Sequence, residues 1–284
     1  MEFSTFIRRA KKSPLFIVGG VTLIVIVLLC VLSPLYVVYD PGKADLTQRL
    51  LAPEWFSNGL TGHILGTDAL GRDVLTRLLM GGRVSLFVSV VVVAISTLIG
   101  IFIGLIAGYF SGAVDRVVMR FADILMAIPS LMLAICVVAV LGTNFTNLII
   151  TLTLTSWVIG ARIVRGNTFG IRNMEYVQAA KVMGTGNFKI MVSEVLPNVL
   201  TPIIVNATQQ FGGTILTESS MSYLGMGIPV PTPSWGNMIS EGREYLSTCP
   251  WVVIAPGIAL MLTVLAFNFL GDGLRDILDP RNKD

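Results

Sequence analysis

Six apolar runs constrain the fold of this chain more than any other feature of its sequence. Each has roughly 20 residues or more, the length that a helix needs to cross the hydrocarbon core of a bilayer. Hydrophobic residues make up 54% of the 284 positions and charged residues only 13%. Lipid offers no partner for backbone N–H and C=O groups, so the runs are predicted to be helices. The sequence therefore predicts an all-α, polytopic membrane protein with six transmembrane helices, at 15–39, 84–110, 121–141, 145–164, 199–217 and 251–270.

The first apolar run follows a group of basic residues, as the apolar region of a cleaved signal peptide would. These residues are Arg8, Arg9, Lys11 and Lys12. The run has about 25 residues, whereas the apolar region of a signal peptide has about 7–15, and no clear small-residue cleavage site follows it. It is therefore predicted to be a retained first span.

The distribution of lysine and arginine predicts which side of the membrane each connection faces. Basic residues accumulate in cytoplasmic connections. With the N-terminus inside, the cytoplasmic segments hold 14 of the 20 basic residues and the outer segments hold 6. Both termini and the connection at 166–198 are therefore predicted to be cytoplasmic. Because the basic residues lie beside membrane ends, the net charge of +3 does not indicate nucleic-acid binding.

An outer segment, 40–83, separates the first two runs and contains the turn-rich stretch HILGTDALGRD. Its five basic residues are matched by five acidic residues, which favours local ion pairs, although Arg72 and Asp73 could instead contact a partner. His63, the only histidine, is expected to be exposed, and one imidazole with three scattered cysteines predicts neither a metal site nor a disulfide framework. Residues 1–83 are thus predicted to form a first helix with its loop, and residues 84–284 a five-helix core.

Polar residues on one face distinguish the fifth run from the others. They recur at i, i+4, i+7 and i+11, which is one side of a helix, as Asn206, Gln210, Gly213 and Thr217. Lipid would not tolerate these groups, or the nearby Glu218, so they must face protein or water. Two interpretations stay open: the face lines a hydrated path, or its side chains form hydrogen bonds between helices.

Glycine and proline mark two further features of the spans. Gly100, Gly104 and Gly108 form a strip without side chains, which permits close packing either within this chain or on a second membrane subunit. Proline removes a backbone hydrogen bond and favours a bend unless it lies in the first turn of a helix. Bends are therefore expected at Pro129 and Pro256, while Pro202 could be a first-turn case.

The most hydrophilic stretch, EYVQAAKVMGTGNFKIMVSEVLPN, covers residues 175–198 on the predicted cytoplasmic side. Tyr176, Ala180 and Met183 recur at helical spacing, and Gly184 follows where a left-handed cap needs glycine. A turn at 185–187 leads to a second short helix before Leu196–Pro197, where the chain is expected to return to the membrane. Two short helices of this kind fit a groove on another protein.

This stretch resembles the EAA loop of ABC importer permeases. The pattern of that loop is E-A-A, three residues, G, nine residues, then I-x-L-P. The matching positions are Gln178, Ala179, Ala180, Gly184, Glu194, Leu196 and Pro197. Two of them depart from the pattern, since Gln178 stands in place of Glu and Glu194 in place of Ile. The change at 178 leaves a helix plausible but removes the ion pair that a glutamate could make.

Three further motifs make the resemblance more specific. They are LGTDALGRDVLTRLLMGGRVSL at 65–86, MSYLGMGIPVPTPSWGNMISEGR at 221–243 and AFNFLGDGLRDILDPRNK at 266–283. Together with the loop and the six spans, they are similar to the dipeptide, oligopeptide and nickel branch of the family over most of the chain. The resemblance implies a permease of the bacterial cytoplasmic (inner) membrane that forms a path for a small solute together with a homologous second permease.

The resemblance also implies the other partners. Two cytoplasmic ATPase subunits, which bind ATP and Mg²⁺, would dock on the 166–198 loop, and an extracytoplasmic binding protein, with Arg72 and Asp73 as candidate contacts, would deliver the solute. This chain has no G-x-x-x-x-G-K-[ST] pattern, so it is expected to hold no cofactor and to have no enzymatic activity. Di- or oligopeptides are the expected solutes, with nickel or a metal chelate as the alternative.

Two other classes of function are disfavoured by the sequence. An intramembrane enzyme needs a nucleophile with a base, or clustered metal ligands, inside the bilayer, and the single histidine and the lack of a carboxylate pair in the runs argue against both. A passive channel would need a filter or repeated rings of one residue type, and it would not need the cytoplasmic helix. The sequence therefore favours a transport subunit driven by ATPases on separate chains.

Overall fold

The computed structural model describes residues 3–56 and 62–278, and this part of the chain is almost entirely helical. Within these ranges, extended pairing is limited to one isolated bridge between Thr67 and Asp73. The prediction of an all-α fold is confirmed. Two of the basic residues counted for the topology, Arg281 and Lys283, lie outside the described residues.

Twelve α-helices occur in the described ranges. They are α1 (Phe3–Ala10), α2 (Pro14–Val31), α3 (Ser33–Tyr36), α4 (Val74–Phe110), α5 (Gly112–Ala127), α6 (Ser130–Leu141), α7 (Phe145–Ile171), α8 (Glu175–Val182), α9 (Asn187–Ile190), α10 (Leu196–Tyr223), α11 (Trp235–Gly242) and α12 (Trp251–Leu278). Short 3₁₀ turns lie at Leu46–Gln48 and Arg243–Tyr245. A π turn at Met191–Val195 joins α9 to α10, so that Asn187–Tyr223 is one continuous helix.

Five helices of the described residues are long and apolar enough to span a membrane, namely α2, α4, α7, Asn187–Tyr223 and α12. The predicted third span is not one straight helix, because α5 and α6 meet at an angle of 92°. Ile128, between them, is extended, as expected for the residue before a proline, and Pro129 caps α6. The bend predicted at Pro129 is therefore present, and the count reaches six when the bent pair is one span.

The other two prolines lie inside helices that continue through them. Pro202 is an interior residue of α10 and not a first-turn residue, because the continuous helix already begins at Asn187. Pro256 is likewise inside α12. A proline in a membrane helix is tolerated when neighbouring helices compensate for the freed backbone groups.

Helices α4 and α7 form the most extensive helix pair, and the glycine strip of α4 lies in their interface. A Cβ atom at Gly104 would lie 2.5 Å from the carbonyl oxygen of Ala161, and one at Gly108 would lie 2.7 Å from Cβ of Thr168. Any side chain larger than hydrogen would push the helices apart. The strip therefore serves packing within this chain, which is one of the two interpretations left open by the sequence.

The first span packs along the last one. Two glycines permit this contact: a Cβ at Gly19 would lie 2.7 Å from the backbone nitrogen of Leu270, and one at Gly273 would lie 2.7 Å from that of Phe16. Arg9 in α1 also donates a hydrogen bond to the carbonyl oxygen of Ile277, at 3.2 Å. Helices α1 and α2 are thus in close contact with the last span, α12.

Helix α10 lies at the centre of the bundle and contacts α4, α7, α11 and α12. We call the end of the bundle that carries residues 62–73 and α11 the outer end, and the end that carries α8 the inner end. At the outer end, Trp235 is buried against α4 and donates a hydrogen bond from Nε1 to the carbonyl oxygen of Leu78, at 2.9 Å. The polar face of α10 lies between the two ends.

Candidate functional site

A polar cavity of about 400 Å³ lies between α6, α7 and α10. All four residues predicted from the polar face of the fifth run, Asn206, Gln210, Gly213 and Thr217, line it. Helices α6 and α7 and the rest of α10 contribute the other lining residues: Ser130, Thr155, Ser156, Ile159, Gln209 and Thr214. The lining consists of amides, hydroxyls, one glycine and one isoleucine, so the cavity carries hydrogen-bonding groups without a charged side chain.

Gln210 holds the cavity wall together across three helices. Its Nε2 donates to Oγ of Ser96 in α4 at 2.8 Å and to the carbonyl oxygen of Ser156 in α7 at 3.4 Å. This residue therefore forms hydrogen bonds between helices and also lines the cavity, which joins the two interpretations that the sequence left open. Gly213 differs, because a Cβ atom added there would meet nothing within 4 Å. The space in front of Gly213 is part of the cavity.

Glu218 does not face the cavity, although it lies on the same helix as the polar face. Its carboxylate is fully buried and accepts a hydrogen bond from Oγ of Ser222 at 2.7 Å. Oγ of Ser219 lies 3.5 Å from its other oxygen. The carboxylate is thus held by hydroxyl groups of its own helix at the outer end. Among the described residues, no group of three or more His, Cys, Asp or Glu side chains could hold a metal ion.

Helix α8 forms an exposed arm at the inner end, with one side anchored and the other side free of contacts. Val177 is buried in a cluster with Ile190 and Val195, and Ala180 packs on the same cluster. Three large apolar residues in and just after α8 are largely exposed: Val182 (88%) in α8, Met183 (79%) directly after it and Phe188 (76%) in α9. Exposed apolar side chains that lie close together are typical of an interaction surface.

Gly184 ends α8 with a left-handed backbone conformation, at φ +82°. The N–H of Gly184 bonds to the carbonyl of Lys181, and that of Thr185 to the carbonyl of Ala180, so the last carbonyls of the helix are satisfied. The predicted glycine cap is therefore present. No atom would lie within 4 Å of a Cβ at this position, so the need for glycine comes from the backbone and not from packing.

Gln178 ties α8 to the ends of two spans. Its Nε2 donates to the carbonyl oxygen of Arg172 at 2.8 Å, and Arg172 donates from Nη1 to the carbonyl oxygens of Gly108 and Tyr109, at 3.1 and 3.0 Å. The amide thus makes a bond that a carboxylate could not make, because a carboxylate has no hydrogen to donate. Gln178 also lines a small polar pocket together with Arg172 and Lys181.

The π turn at Met191–Val195 accommodates Pro197. A proline has no N–H to bond to the carbonyl four residues earlier, that of Ser193, and its ring clashes with that carbonyl. The chain widens instead, and the N–H of Leu196 bonds to the carbonyl of Met191, five residues earlier. Glu194 lies inside this turn, with Oγ of Ser193 donating to Oε1 at 3.0 Å. The second short helix predicted before Leu196–Pro197 is thus not separate, because a wide turn makes it continuous with α10.

At the outer end, charged residues form a buried cluster. Arg72 and Arg77 both bind Oδ2 of Asp68, at 2.7 and 2.6 Å, and both bind Oε2 of Glu241 in α11, at 2.5 and 3.0 Å. The cluster joins residues 68–77 to α11 across more than 160 positions of sequence. Part of the expected local ion pairing is therefore present, but Glu241 was not foreseen as a member.

One prediction about the outer segment, the exposure of His63, needs correction. Asp73 caps α4 by accepting from the N–H of Thr76 at 2.7 Å, and it also contacts Nδ1 of His63 at 2.9 Å. The expectation that His63 is exposed is wrong. The residue is only 3% exposed, and its Nε2 lies 2.6 Å from Oε1 of Gln48. Arg72 and Asp73, the candidate partner contacts, are both largely buried, although Arg72 also lines an open groove beside α11.

Comparisons with known proteins agree with this arrangement. The family model described as binding-protein-dependent transport system inner membrane component matches residues 100–284, and that of the N-terminal TM domain of oligopeptide transport permease C matches residues 3–53. The di/tripeptide transport system permease protein DppC of Pseudomonas aeruginosa is 39% identical over 267 residues, which cover 94% of this chain and 88% of the relative. The oligopeptide transport system permease protein OppC of Bacillus subtilis is 37% identical over 273 residues, covering 96% and 88%.

A solved structure shows the same fold. One chain of the MetNI methionine ABC transporter, in an inward-facing conformation, superposes with a TM-score of 0.57 at 18% sequence identity, covering 72% of this chain and 97% of that chain. The family match covers well over half of the sequence, and the relatives align with nearly all of it. This chain therefore belongs to the family of binding-protein-dependent transport system inner membrane components, the permease subunits of ABC importers in the inner membrane.

Proposed function

We propose that this permease forms one half of a path for di- and oligopeptides, with a homologous second permease forming the other half. The observation that carries the proposal is the uncharged polar cavity, to which Asn206, Gln210, Gly213 and Thr217 all contribute. The relatives named as dipeptide and oligopeptide permeases support the same solute class. A cavity of about 400 Å³ is at the small end of the range for ligand sites, which suits one half of a shared path.

The chemistry of the lining favours peptides over a free metal ion. A peptide presents N–H and C=O groups at every residue, and the amides and hydroxyls of the cavity can both donate to and accept from them. Nickel prefers imidazole and other nitrogen or sulfur ligands, and none of the lining side chains has an imidazole, thiolate or carboxylate. Nickel or a metal chelate stays the second candidate solute. Neutral groups would let peptides with charged and uncharged side chains pass alike.

In this proposal α8 is the docking element for the ATPase subunits, and the termini and α8 are cytoplasmic. The exposed side chains of Val182, Met183 and Phe188 supply an apolar surface for a groove on each ATPase. Ala179 is also exposed and small enough for close approach, while Ala180 faces the bundle. The coupling residues are the ones that the loop pattern indicated: Gln178, Ala179, Ala180, Gly184, Glu194, Leu196 and Pro197.

Movement of α8 would reach the cavity along two connected routes. One route runs from Gln178 through Arg172 to the end of α4. The other runs through the continuous helix Asn187–Tyr223, in which Asn187 also accepts a hydrogen bond from the hydroxyl of Tyr109 at 3.0 Å. At 1.5 Å per residue, the distance from Asn187 to Gln210 along this helix is about 35 Å. ATP-driven closure of the partner subunits would thus tilt α7 and α10 as rigid elements.

At the outer end, an extracytoplasmic binding protein would dock on an open groove that Arg72 lines, whereas Asp73 is not part of this lining. The groove has a volume of about 600 Å³ and includes the exposed residues Leu70, Val230 and Glu244. The buried cluster around Arg72 would fix the shape of this surface. In this assignment residues 1–83 support the core formed by residues 84–284, and the core supplies the path.

The proposal is tested by transport in proteoliposomes that contain the complete transporter and its binding protein. We expect ATP-dependent uptake of labelled di- and tripeptides and no uptake of free Ni²⁺. Substituting Gly213→Leu should reduce peptide uptake by roughly tenfold, because the new side chain extends into the cavity from a position where an added Cβ meets nothing within 4 Å.

The matched control for this experiment is Gly257→Leu in α12, where a Cβ also meets nothing within 4 Å but where the residue does not line the cavity. It should leave uptake close to that of the unaltered transporter. Equal uptake by the two variants would contradict the path, and uptake of free Ni²⁺ at the rate of peptides would contradict the solute class.

A further inference from the structure

A second groove, apolar and separate from the polar cavity, lies near the outer ends of α2 and α4. It has a volume of about 690 Å³ and is lined by residues of α2, α4, α7 and α12 and by residues 41 and 232–233. Its walls include Val31, Phe87, Val90, Phe145 and Phe267. A groove with this lining is unfavourable to fill with water, because the apolar surface would stay hydrated.

Arg83 is the only charged residue among those that line the groove, and it lies at its rim. It directly precedes Val84, where the apolar run of α4 begins, so its guanidinium group belongs at the boundary between hydrocarbon and lipid headgroups. Arg77, about two helical turns before Arg83 in α4, and Arg72, just before α4 begins, both bind carboxylates of this chain. The side chain of Arg83 is exposed and makes no hydrogen bond or ion pair with residues 3–56 or 62–278.

The groove continues into an exposed apolar stripe on α4. Phe87, Val90, Leu98 and Phe102 are all exposed, and their spacing places them on neighbouring turns of one side of the helix. A transmembrane helix with such a stripe faces acyl chains or another membrane helix. The position of a single cation above an apolar groove and stripe matches a molecule with a negative headgroup and a long hydrocarbon chain.

We propose that this groove binds an anionic phospholipid. The guanidinium of Arg83 binds the phosphate, for which its planar pair of N–H donors is well suited, and one acyl chain packs against Phe87, Val90 and Phe145. This assignment does not depend on the solute or on the path. The bound lipid would fill the space between α2 and α4 and hold the first span against the core.

The test uses the complete transporter purified in detergent, stripped of lipid and then titrated with phosphatidylglycerol or with phosphatidylcholine of the same acyl chains. Native mass spectrometry measures the bound lipid. The unaltered complex should prefer phosphatidylglycerol, and Arg83→Gln should weaken its binding by about tenfold while leaving phosphatidylcholine unchanged. Arg243→Gln, which removes another exposed outer arginine away from this groove, should leave the preference intact. Unchanged phosphatidylglycerol binding by the Arg83→Gln variant would overturn the proposal.

Two further measurements separate a lipid from a protein occupant. Val90→Trp should fill the groove and weaken the binding of both lipids, and it is an exposed position where a larger side chain does not disturb the core. A photoreactive benzoylphenylalanine in place of Phe87 should cross-link to phospholipid. A cross-link to the second permease in place of lipid would show that the groove is a subunit interface and would reject the lipid site.

Discussion

The outer and inner ends of the bundle differ in which side chains they bury and which they expose. At the outer end, Arg72, Arg77 and Asp68 are charged, buried and bound to one another, so that charge is used for internal structure. At the inner end, Val182 and Phe188 are apolar and exposed. Residue type alone therefore does not identify an interaction surface in this molecule. Candidate surfaces are the ones whose exposed side chains have no partner within the chain.

The largest effect on stability is expected from the outer cluster. Asp68→Ala removes the carboxylate that both Arg72 and Arg77 bind, and leaves two buried cations with only Glu241 as partner. Loss of one partner from a buried ion pair costs about 3–5 kcal/mol, and Glu241 should offset part of this. We expect a lower midpoint in thermal unfolding of the purified complex. Asp40→Ala, at an exposed position, should change the free energy of unfolding by less than about 1 kcal/mol. Similar midpoints for the two variants would contradict a stabilising role of the buried charges.

The inner end should respond mainly in transport, with a smaller loss of stability than at the outer cluster. Gly184→Asp places a side chain at φ +82°, which costs about 1–2 kcal/mol, in a turn with open space around it. The protein should stay in the membrane, while peptide uptake falls by about tenfold and ATP hydrolysis continues. Gly186→Asp adds the same charge two residues away, at φ −65° and also in open space, and should transport normally. Normal uptake by Gly184→Asp would count against α8 as the coupling element.

The smallest effect is expected from Gln178→Glu, which restores the residue of the family pattern. The variant loses the hydrogen bond to the carbonyl of Arg172 and gains a carboxylate in the pocket that Arg172 and Lys181 also line. Each contribution is about 1 kcal/mol or less, and they oppose one another. Thermal stability and uptake should both stay close to those of the unaltered transporter, because the second route, through the continuous helix Asn187–Tyr223, stays intact. A large loss of uptake would show that the amide bond, and not the helix alone, transmits movement from α8.

Much of the fold could be predicted from the sequence, because lipid imposes simple requirements on length and composition. Four residues on one side of α10 were identified from helical spacing alone, and all four line the cavity. Ser130, Thr155 and Ser156 were missed, since spacing within one run cannot tell which neighbouring helix faces it. The 92° bend between α5 and α6 was foreseen only as a bend at a proline.

The outer segment was the least predictable part of the chain. The charges of Arg72 and Asp73 suggested contact with a partner, and the polarity of His63 suggested exposure. Their burial depends on pairing with residues far away in sequence, such as Glu241, and on a folded loop that brings Gln48 beside His63. Only the three-dimensional arrangement shows that these polar groups satisfy one another.

The π turn at Met191–Val195 also sets the rotation of the cavity-lining face of α10 relative to α8. Successive residues of an α-helix are rotated by about 100°, and a π turn accommodates one residue more than an ordinary turn. Deleting a single residue from this turn would therefore rotate Asn206, Gln210, Gly213 and Thr217 away from the space that they share, with every one of those side chains still present. The orientation of the cavity-lining face is thus fixed about 17 Å from Asn206, its nearest residue, by the local response of the backbone to one proline.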